Sequence, residues 1–431
     1  MDIQIFKKDK INEKLYFKEL DSGLKVYFFP KRGYTKKYAI FATNYGSVDN
    51  VFIPMGEKEP IEVPEGIAHF LEHKLFEEPD QNIFDKFSDY GSDVNAFTNF
   101  NQTAYLFNTT DKFHESLETL VKFVQNPHFT DENVDKEKGI IAQEINMYKD
   151  SASWRVFFNL LNAMYNEHPV KIDIAGTVES IQDINKELLY KSYDTFYNPS
   201  NMVLVISGDL SFEEIIETVE NSERKNYKTV EEIDRNYGDE SENIKTKFVE
   251  EEMLISTPIF YMGFKDSHLG LRGEEQVKKD LVTNLILEIL FSSSSPFYNE
   301  LYDEGLIDDS FGAYYTGKES YGHSIVLGQA KNPKLVYDRI LELFKDDVKN
   351  IIPEEDFNRM KKNSIGDFLM GCNSVEFLAN NFVDLYFDGF LLIDYLDLLE
   401  SIKYEDLIER FKEHFNDENV ALSIINPLSN S

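Results

Sequence analysis

A long charged run divides this chain and constrains its fold more than any other feature of the sequence. The segment 221–247, NSERKNYKTVEEIDRNYGDESENIKTK, is polar and poor in apolar residues, as linkers between domains are. The chain has 431 residues, which is too many for one ordinary hydrophobic core. The sequence therefore predicts a first domain at 1–222, a linker at 223–247 and a second domain at 248–431.

Strand-like and helical patterns alternate on both sides of this run. Strands are predicted at 37–44, 202–207, 325–329 and 420–425, two strands within 15–30, a hairpin within 93–107, and helices at 131–149, 335–349 and 375–386. No Gly-rich phosphate loop accompanies them. The pattern predicts an α+β fold, with each domain an antiparallel-rich mixed sheet that packs its helices on one face. The similar order of elements suggests that the two domains are related by duplication.

The motif H-x-x-E-H, at His69, Glu72 and His73, is the strongest chemical signal. Residues i, i+3 and i+4 of a helix share one face, so the three side chains would point into one volume. Two imidazoles four residues apart can hold zinc, and the adjacent carboxylate can take a proton from metal-bound water. The alternative is an amphipathic helix whose histidines lie on the surface or in the core.

A catalytic zinc site needs a third protein ligand, and the helical segment 137–148, EKGIIAQEINMY, offers one. Glu137 and Glu144 lie seven residues apart, about two helical turns, and therefore share a face. One carboxylate could bind the metal while the other orients a histidine ligand from behind. Paired glutamates on the helix of an acidic protein are, however, more often solvated.

These motifs resemble the zinc peptidases of the pitrilysin/insulinase family, which also includes mitochondrial processing peptidase. His69–His73 is followed, after 70 intervening residues, by Glu144. Further matches to the family are Asn95-Ala96-Phe97-Thr98, Thr103-Ala104-Tyr105, His168-Pro169, Gly176, Tyr197-Asn198-Pro199-Ser200-Asn201 and Gly208-Asp209. The resemblance covers about half of the chain.

The resemblance implies two related halves that form a half-clamshell. It also implies one zinc ion per chain, with His69, His73 and Glu144 as ligands, Glu72 as general base and Glu137 in support. The expected activity is that of a zinc endopeptidase. An extended peptide would lie along the strand at Asn95, Ala96, Phe97 and Thr98, where backbone pairing tolerates many sequences.

Two other functions remain open at this point. One is a binding or scaffold protein that has lost catalysis, although such a protein has no need of all four residues at His69, Glu72, His73 and Glu144. The other is a maturation or processing factor that acts on one dedicated protein, because its chemistry would be the same.

The second half carries no H-x-x-E-H. In the resembled family this half is silent in catalysis but often supplies an Arg and a Tyr, about seven residues apart, that help bind substrate or oxyanion. Here Tyr302 stands at the arginine position, and Asp308 or Asp309 stands at the tyrosine position. Ionised aspartates cannot donate hydrogen bonds to an oxyanion. We therefore expect a dimer, and we consider a heterodimer in which a zinc-less relative supplies the Arg/Tyr pair.

Composition limits the partners and the compartment. The net charge of −34 repels nucleic acid and could attract cationic peptides, although it could equally serve solubility. No apolar run approaches the length of a membrane span, and the start lacks a signal-peptide pattern. The single Cys372 allows no internal disulfide and fits a reducing compartment. A cytoplasmic protein without membrane attachment is expected.

Overall fold

A computed structural model describes residues 3–77, 82–225 and 232–428 of the chain. The elements of the first half are β1 (Gln4–Lys8), β2 (Glu13–Glu19), β3 (Lys25–Pro30), β4 (Lys37–Thr43), β5 (Val51–Phe52), β6 (Ile61–Glu62), α1 (Ile67–Leu75), α2 (Ile83–Tyr90), β7 (Asp93–Thr98), β8 (Thr103–Thr109), α3 (Phe113–Gln125), α4 (Asp131–Lys149), α5 (Ala152–Met164), α6 (Lys186–Phe196), β9 (Met202–Gly208) and α7 (Phe212–Ser222). Seven of these strands form one sheet, in the order β1-β2-β3-β9-β4-β8-β7.

The elements of the second half are β10 (Phe248–Met253), β11 (Ile259–Lys265), α8 (Gly273–Phe291), α9 (Pro296–Asp303), β12 (Gly312–Gly317), β13 (Gly322–Gln329), α10 (Pro333–Leu343), α11 (Val348–Ile351), α12 (Glu354–Gly371), α13 (Val375–Phe387), α14 (Tyr395–Ser401), α15 (Tyr404–His414) and β14 (Val420–Pro427). Its five strands form a second sheet, in the order β10-β14-β11-β13-β12.

The two sheets share one connectivity. In each half an early strand pairs in parallel with the last strand, β3 with β9 and β10 with β14. The last strand then pairs antiparallel with the next strand of the half, β9 with β4 and β14 with β11, and an antiparallel hairpin completes each sheet. The α+β prediction with two related, antiparallel-rich halves is confirmed.

Each sheet packs its own helices on one face. Along β3, Val26 and Phe28 belong to the core beneath α1–α4, α6 and α7, whereas Tyr27 and Phe29 face the opposite side. This alternation follows from the two-residue period of a strand. A sheet whose strands are apolar on both faces needs a second covering layer.

The second layer comes from the other half of the chain. Helix α13 covers the far face of the first sheet, where the ring of Phe382 lies 4.6 Å from that of Tyr27. Helix α5 covers the far face of the second sheet, where Leu161 and Met164 pack with Ile325 and Ala421. The exchanged helices bury apolar surface across the boundary between the halves and so fasten the halves together.

The structure describes residues 223–225 and 232–247 of the predicted linker, and the second stretch is held against the protein. Asp49 lies 3.3 Å from the Nε of Arg235 and accepts a 3.0 Å hydrogen bond from the hydroxyl of Tyr237. The carboxylate of Glu240 accepts backbone N–H bonds from residues 166–168 and pairs with Lys265. The polar composition of this segment therefore serves hydrogen bonds across the boundary between the two halves.

The predicted single helix at 335–349 is wrong in its extent. Helix α10 ends at Leu343, and α11 begins at Val348 after Asp347, whose carboxylate accepts a hydrogen bond from the backbone N–H of Lys349. The aspartate competes with the helical hydrogen bonds and starts a new helix instead. None of the helices in the described ranges is both long and apolar enough to cross a bilayer.

Candidate metal centre

Helix α1 carries the H-x-x-E-H motif and is almost entirely buried, with His69 only 8% exposed and Glu72 9% exposed. The spacing of four residues places the two imidazoles on one face, with ring centroids 4.6 Å apart. Burial keeps His69 neutral by lowering its pKa to about 4, with the charge of His73 adding to the effect. A neutral imidazole is the form that binds a metal ion.

Helix α4 brings Glu144 to these histidines. Its carboxylate oxygens lie 3.7 Å from the Nε2 of His69 and 3.5 Å from the Nε2 of His73. The three donor atoms lie within 4.8 Å of one another, and no other group of three such ligands was found in the described part of the chain.

The spacing of these donor atoms fits zinc. Donors that sit about 2.1 Å from one tetrahedral ion lie roughly 3.4 Å apart, close to the distances from Glu144 to the two histidines. Two imidazoles and one carboxylate are also a ligand set that zinc enzymes use when a fourth position stays open. The geometry thus brings together the three ligands that the resemblance implied.

Glu137 lies behind His73. Its Oε1 is 3.1 Å from the Nδ1 of His73, and its Oε2 is 3.8 Å from the buried ammonium of Lys74. Burial lowers the pKa of His73, but the hydrogen bond to Glu137 and the nearby carboxylates outweigh burial, so the net shift is upward. The pKa of Glu137 is lowered because its bond to His73 outweighs burial. With Nδ1 against Glu137, the Nε2 of His73 faces Glu144.

Glu72 is held differently from the other glutamates. Burial raises its pKa despite a 2.7 Å hydrogen bond that the hydroxyl of Thr98 donates to its Oε2. A carboxyl group with a raised pKa is a better proton acceptor near neutral pH than an ordinary glutamate. Glu72 does not belong to the group of three residues whose donor atoms cluster.

The predicted substrate strand is β7, and it occupies an edge. It pairs with β8 on one side, and the described strands place no neighbour on its other side. Asn95 is exposed, while Ala96, Phe97 and Thr98 are half-buried. Thr98 has a further contact that the sequence did not reveal, because its hydroxyl holds Glu72.

A cleft of about 770 Å³ opens beside Glu72 and His73, between α1, α2, β7 and α4. Stacked rings of Phe76 and Phe84, with centroids 4.7 Å apart, form part of its wall. Its charged lining residues are Glu72, Glu77, Glu132, Lys136 and Glu137.

Sequence reasoning missed two residues at this site. Lys74 is completely buried and pairs with Glu77 and Glu137. Tyr148 donates a 2.7 Å hydrogen bond to the Oε1 of Glu144, and burial together with that bond raises its pKa above the usual range. Two features of the sequence could have indicated these residues. Lys74 directly follows the H-x-x-E-H motif, and Tyr148 lies four residues after Glu144 on the same helix, where side chains are neighbours.

The segment 302–309, where the family often has its Arg/Tyr pair, is far from the candidate metal-binding residues in the sequence. Tyr302, at the end of α9, is 50% exposed and stacks on Tyr298. Asp308 accepts hydrogen bonds from the backbone and side chain of Ser310 in a local turn. These contacts are local, and they make Asp308 an acceptor within its own turn.

Comparisons with known proteins agree with this geometry. Residues 47–178 match the model of the insulinase family (peptidase family M16), and residues 183–364 match the model of the M16 inactive domain. The uncharacterised zinc protease YmfH of Bacillus subtilis is 43% identical over 422 residues, which cover 98% of each chain.

Two solved structures are also similar to this chain. A crystal structure of an M16-like peptidase from Alicyclobacillus acidocaldarius superposes with a TM-score of 0.92 at 38% identity, with 99% of both chains covered. A protease from Helicobacter pylori has a TM-score of 0.81 at 19% identity, over 96% of this chain and 100% of that chain. The second likeness concerns the fold alone.

Proposed function

Because this chain belongs to the insulinase (M16) family of peptidases, we propose that it is a zinc-dependent endopeptidase that hydrolyses extended peptides or unfolded segments. The observation that carries the proposal is the clustering of His69, His73 and Glu144 next to the buried carboxylate of Glu72. The relatives named as zinc proteases support the same class of chemistry.

The Nε2 atoms of His69 and His73 and the carboxylate of Glu144 would hold the ion, one per chain. Zinc bound there supplies a Lewis acid that polarises a carbonyl and lowers the pKa of a water ligand to about 7. Glu137 and Lys74 fix the orientation of His73, because the carboxylate binds Nδ1 and the ammonium balances its charge.

Glu72 is the proposed general base. The hydroxyl of Thr98 occupies its Oε2, so Oε1 is the oxygen that accepts the proton of the attacking water. The same oxygen then returns the proton to the leaving amine. The raised pKa of Glu72 favours both transfers, because it brings the acid and base forms closer in energy at neutral pH.

The peptide would pair with the free edge of β7. An extended substrate beside Asn95–Thr98 would gain backbone hydrogen bonds as an extra strand. It would then lie close to Glu72, because Thr98 at the end of this strand contacts the Glu72 carboxylate. Recognition of this kind selects an extended backbone more than a sequence. We also propose that cationic peptides are substrates, because acidic side chains line the adjacent cleft.

A second candidate is a dedicated maturation factor, or a structural subunit of a heteromeric complex, with little activity alone. Tyr302 stands where the family often has an arginine, and Asp308 or Asp309 stands where it often has a tyrosine, and this favours a form that needs a partner. We therefore propose that the working protein is a dimer, and that a zinc-less relative supplies the missing pair. The single Cys372 supports a cytoplasmic setting for either function.

The test is a peptide-cleavage assay with the full chain, stripped of metal and reloaded with one equivalent of zinc. Cleavage of unfolded peptides that stops on stripping and returns with zinc supports the endopeptidase. Metal analysis of His73→Ala should show loss of the ion. Equal zinc content in wild type and a His69→Ala/His73→Ala double variant would exclude this metal site.

A further inference from the structure

Glu144 has a hydroxyl partner on its own helix. Tyr148 lies one turn further along α4 and donates a 2.7 Å hydrogen bond to Oε1 of Glu144. This oxygen faces the Nε2 of His69 at 3.7 Å, while Oε2 faces the Nε2 of His73 at 3.5 Å. The bond therefore holds one carboxylate oxygen toward each histidine, on a side chain that is 22% exposed.

The ring of Tyr148 is itself held in place. It stacks on Trp154 at the start of α5, with centroids 4.4 Å apart and planes within 12°. The indole nitrogen of Trp154 donates a 2.5 Å hydrogen bond to the Oδ2 of Asp173. The other oxygen of Asp173 accepts the backbone N–H of Ala175 at 3.0 Å. A continuous chain of contacts thus runs from Glu144 to the loop around Asp173.

The same loop also seats the helix that carries the histidines. Gly66, in the left-handed region at φ 88°, begins α1 directly against the loop, where a Cβ would lie 2.3 Å from the carbonyl oxygen of Ala175. Gly176 faces it at φ 72°, and a Cβ there would lie 2.4 Å from the carbonyl oxygen of Glu65. The hydroxyl of Ser180 donates to that carbonyl at 3.0 Å. One loop therefore fixes the start of α1 and, through Trp154, the orientation of Glu144.

We propose that Tyr148 is a positioning residue that holds Glu144 toward His69 and His73, and that Trp154 keeps Tyr148 in place. The inference rests on the proposed function, because it takes Glu144 as a zinc ligand. Hydrogen-bond partners of ligating carboxylates orient the ligand and tune metal affinity. Tyr148 would therefore act on metal affinity and not on the fold.

The experiment measures the zinc affinity of the full chain by competition with a chromophoric chelator. Tyr148→Phe removes only the hydroxyl, keeps the aromatic stack, and should weaken zinc binding about 10–100-fold. The matched control is Tyr404→Phe, which removes a hydroxyl that donates 2.6 Å to the carbonyl of Ile352 in the other half. That control should bind zinc like wild type.

A purely structural role predicts a different result. Tyr148→Phe would then lower the melting temperature of the zinc-free protein and leave zinc affinity unchanged. We expect the reverse, with the melting temperature of the zinc-free protein kept and the affinity reduced. A zinc affinity within twofold of wild type would overturn the proposal.

The role of Trp154 is tested by a double-variant cycle. Trp154→Leu removes the stack and should also weaken zinc binding. Because both changes act through one hydrogen bond, Tyr148→Phe/Trp154→Leu should bind zinc no more weakly than the weaker-binding single variant. Fully additive losses would show that Trp154 acts by another route and would overturn that part of the proposal.

Glu144→Gln separates failure of this inference from failure of the proposed function. If Glu144→Gln weakens zinc binding while Tyr148→Phe does not, only the positioning role is wrong. If neither variant changes the zinc affinity, Glu144 is not a ligand, and the proposed metal site itself is wrong.

Discussion

Three glutamates lie within one small region, and their partners separate their roles. Glu144 faces two imidazole nitrogens, Glu137 pairs with His73 and Lys74, and Glu72 is held only by Thr98 in its described hydrogen bonds. A carboxylate that faces two imidazole nitrogens favours a metal cation in the same space. A buried carboxylate with a raised pKa favours proton transfer instead.

We expect Glu72→Gln to keep zinc and lose peptide cleavage, because an amide cannot accept the proton of the attacking water. Such losses of a general base typically cost about 10²–10⁴ in rate. Glu144→Gln should lose affinity for the ion itself, since it replaces a charged ligand with a neutral one. Zinc content by metal analysis and cleavage rate at saturating zinc distinguish the two. Wild-type rates from Glu72→Gln would exclude Glu72 as the base.

At the residue scale, the sequence identified the cluster but not its surroundings. The helical period alone put His69, Glu72 and His73 on one face, and the family resemblance singled out Glu144. Thr98 contacts Glu72 from a separate element, which no local pattern encodes. The positions of Lys74 and Tyr148 were local signals, but they do not specify the rotamers and partners of these side chains. Their roles therefore became visible only with the side-chain geometry.

At the scale of elements, periodicity predicted helices and strands but not their partners. The strands predicted within 15–30 and at 37–44 are present as β2, β3 and β4. Helices α5 and α13 have apolar faces, yet an apolar stripe does not say which sheet it will cover. Strands β1 and β12 were not predicted; both lie at sheet edges, where side chains meet solvent.

The docking of α5 on the second sheet is expected to be sensitive to acid. Its C-cap, Tyr165, donates a 2.8 Å hydrogen bond to the carbonyl of Gly322 and lies 2.9 Å from the Nδ1 of His323. His168 is buried in the same boundary region. His414 is buried on the opposite face of the second sheet, where its Nε2 lies 2.7 Å from the hydroxyl of Ser324 on β13. Burial lowers the pKa of all three histidines, to about 4 for His323 and about 3 for the other two.

The sign of this effect follows from proton linkage. Unfolded histidines titrate near 6.5, so between about pH 6.5 and 4 the unfolded chain binds more protons than the folded chain. The free energy of unfolding should therefore fall as pH falls through this window, by at most about 4 kcal/mol per pH unit for three histidines. Urea unfolding of the zinc-free protein at several pH values measures the slope.

His323→Gln should reduce that slope, because one of the titrating groups is removed. The control is His114→Gln, since the side chain of His114 is 37% exposed. An unchanged slope in His323→Gln would show that the buried histidines do not control acid unfolding. Zinc-free protein is used because acid also releases the metal.

At the scale of the whole molecule, the net charge of −34 supports a test of substrate charge. The cleft beside His73 is lined by Glu77 and Glu132 as well as by Lys136. If the acidic excess acts there, cationic peptides should be cleaved faster than matched acidic ones, and added salt should shrink the difference.

Variants that remove one negative charge show whether the preference for cationic peptides arises at the cleft. Glu132→Gln should lower kcat/KM for the cationic peptide and leave the acidic peptide unaffected or faster. Glu217→Gln on α7 makes the same charge change away from the lining of the cleft and is the control. Equal rates for both peptides at low salt would leave solubility as the role of the charge.

The active form is expected to contain two chains. The first half brings every proposed metal-site residue together, whereas the resemblance puts Tyr302 at the family's arginine position and Asp308 or Asp309 at its tyrosine position. Preorganised donors at a developing oxyanion are typically worth about 10²–10³ in rate. A single chain that lacks these donors should therefore be weakly active, and a related chain that retains them should restore the rate.

The measurement is peptide cleavage by this chain over a range of concentrations, alone and after mixing with related chains from the same cell, with the mass of each species followed by light scattering. Activity that rises with formation of a mixed pair supports a heterodimer that completes the site in trans. A highly active homodimer would exclude only the heteromeric part, because two identical chains add no Arg/Tyr pair. Full activity from a stable monomer would refute pairing altogether, and other donors near the metal-binding cluster would then have to bind the oxyanion.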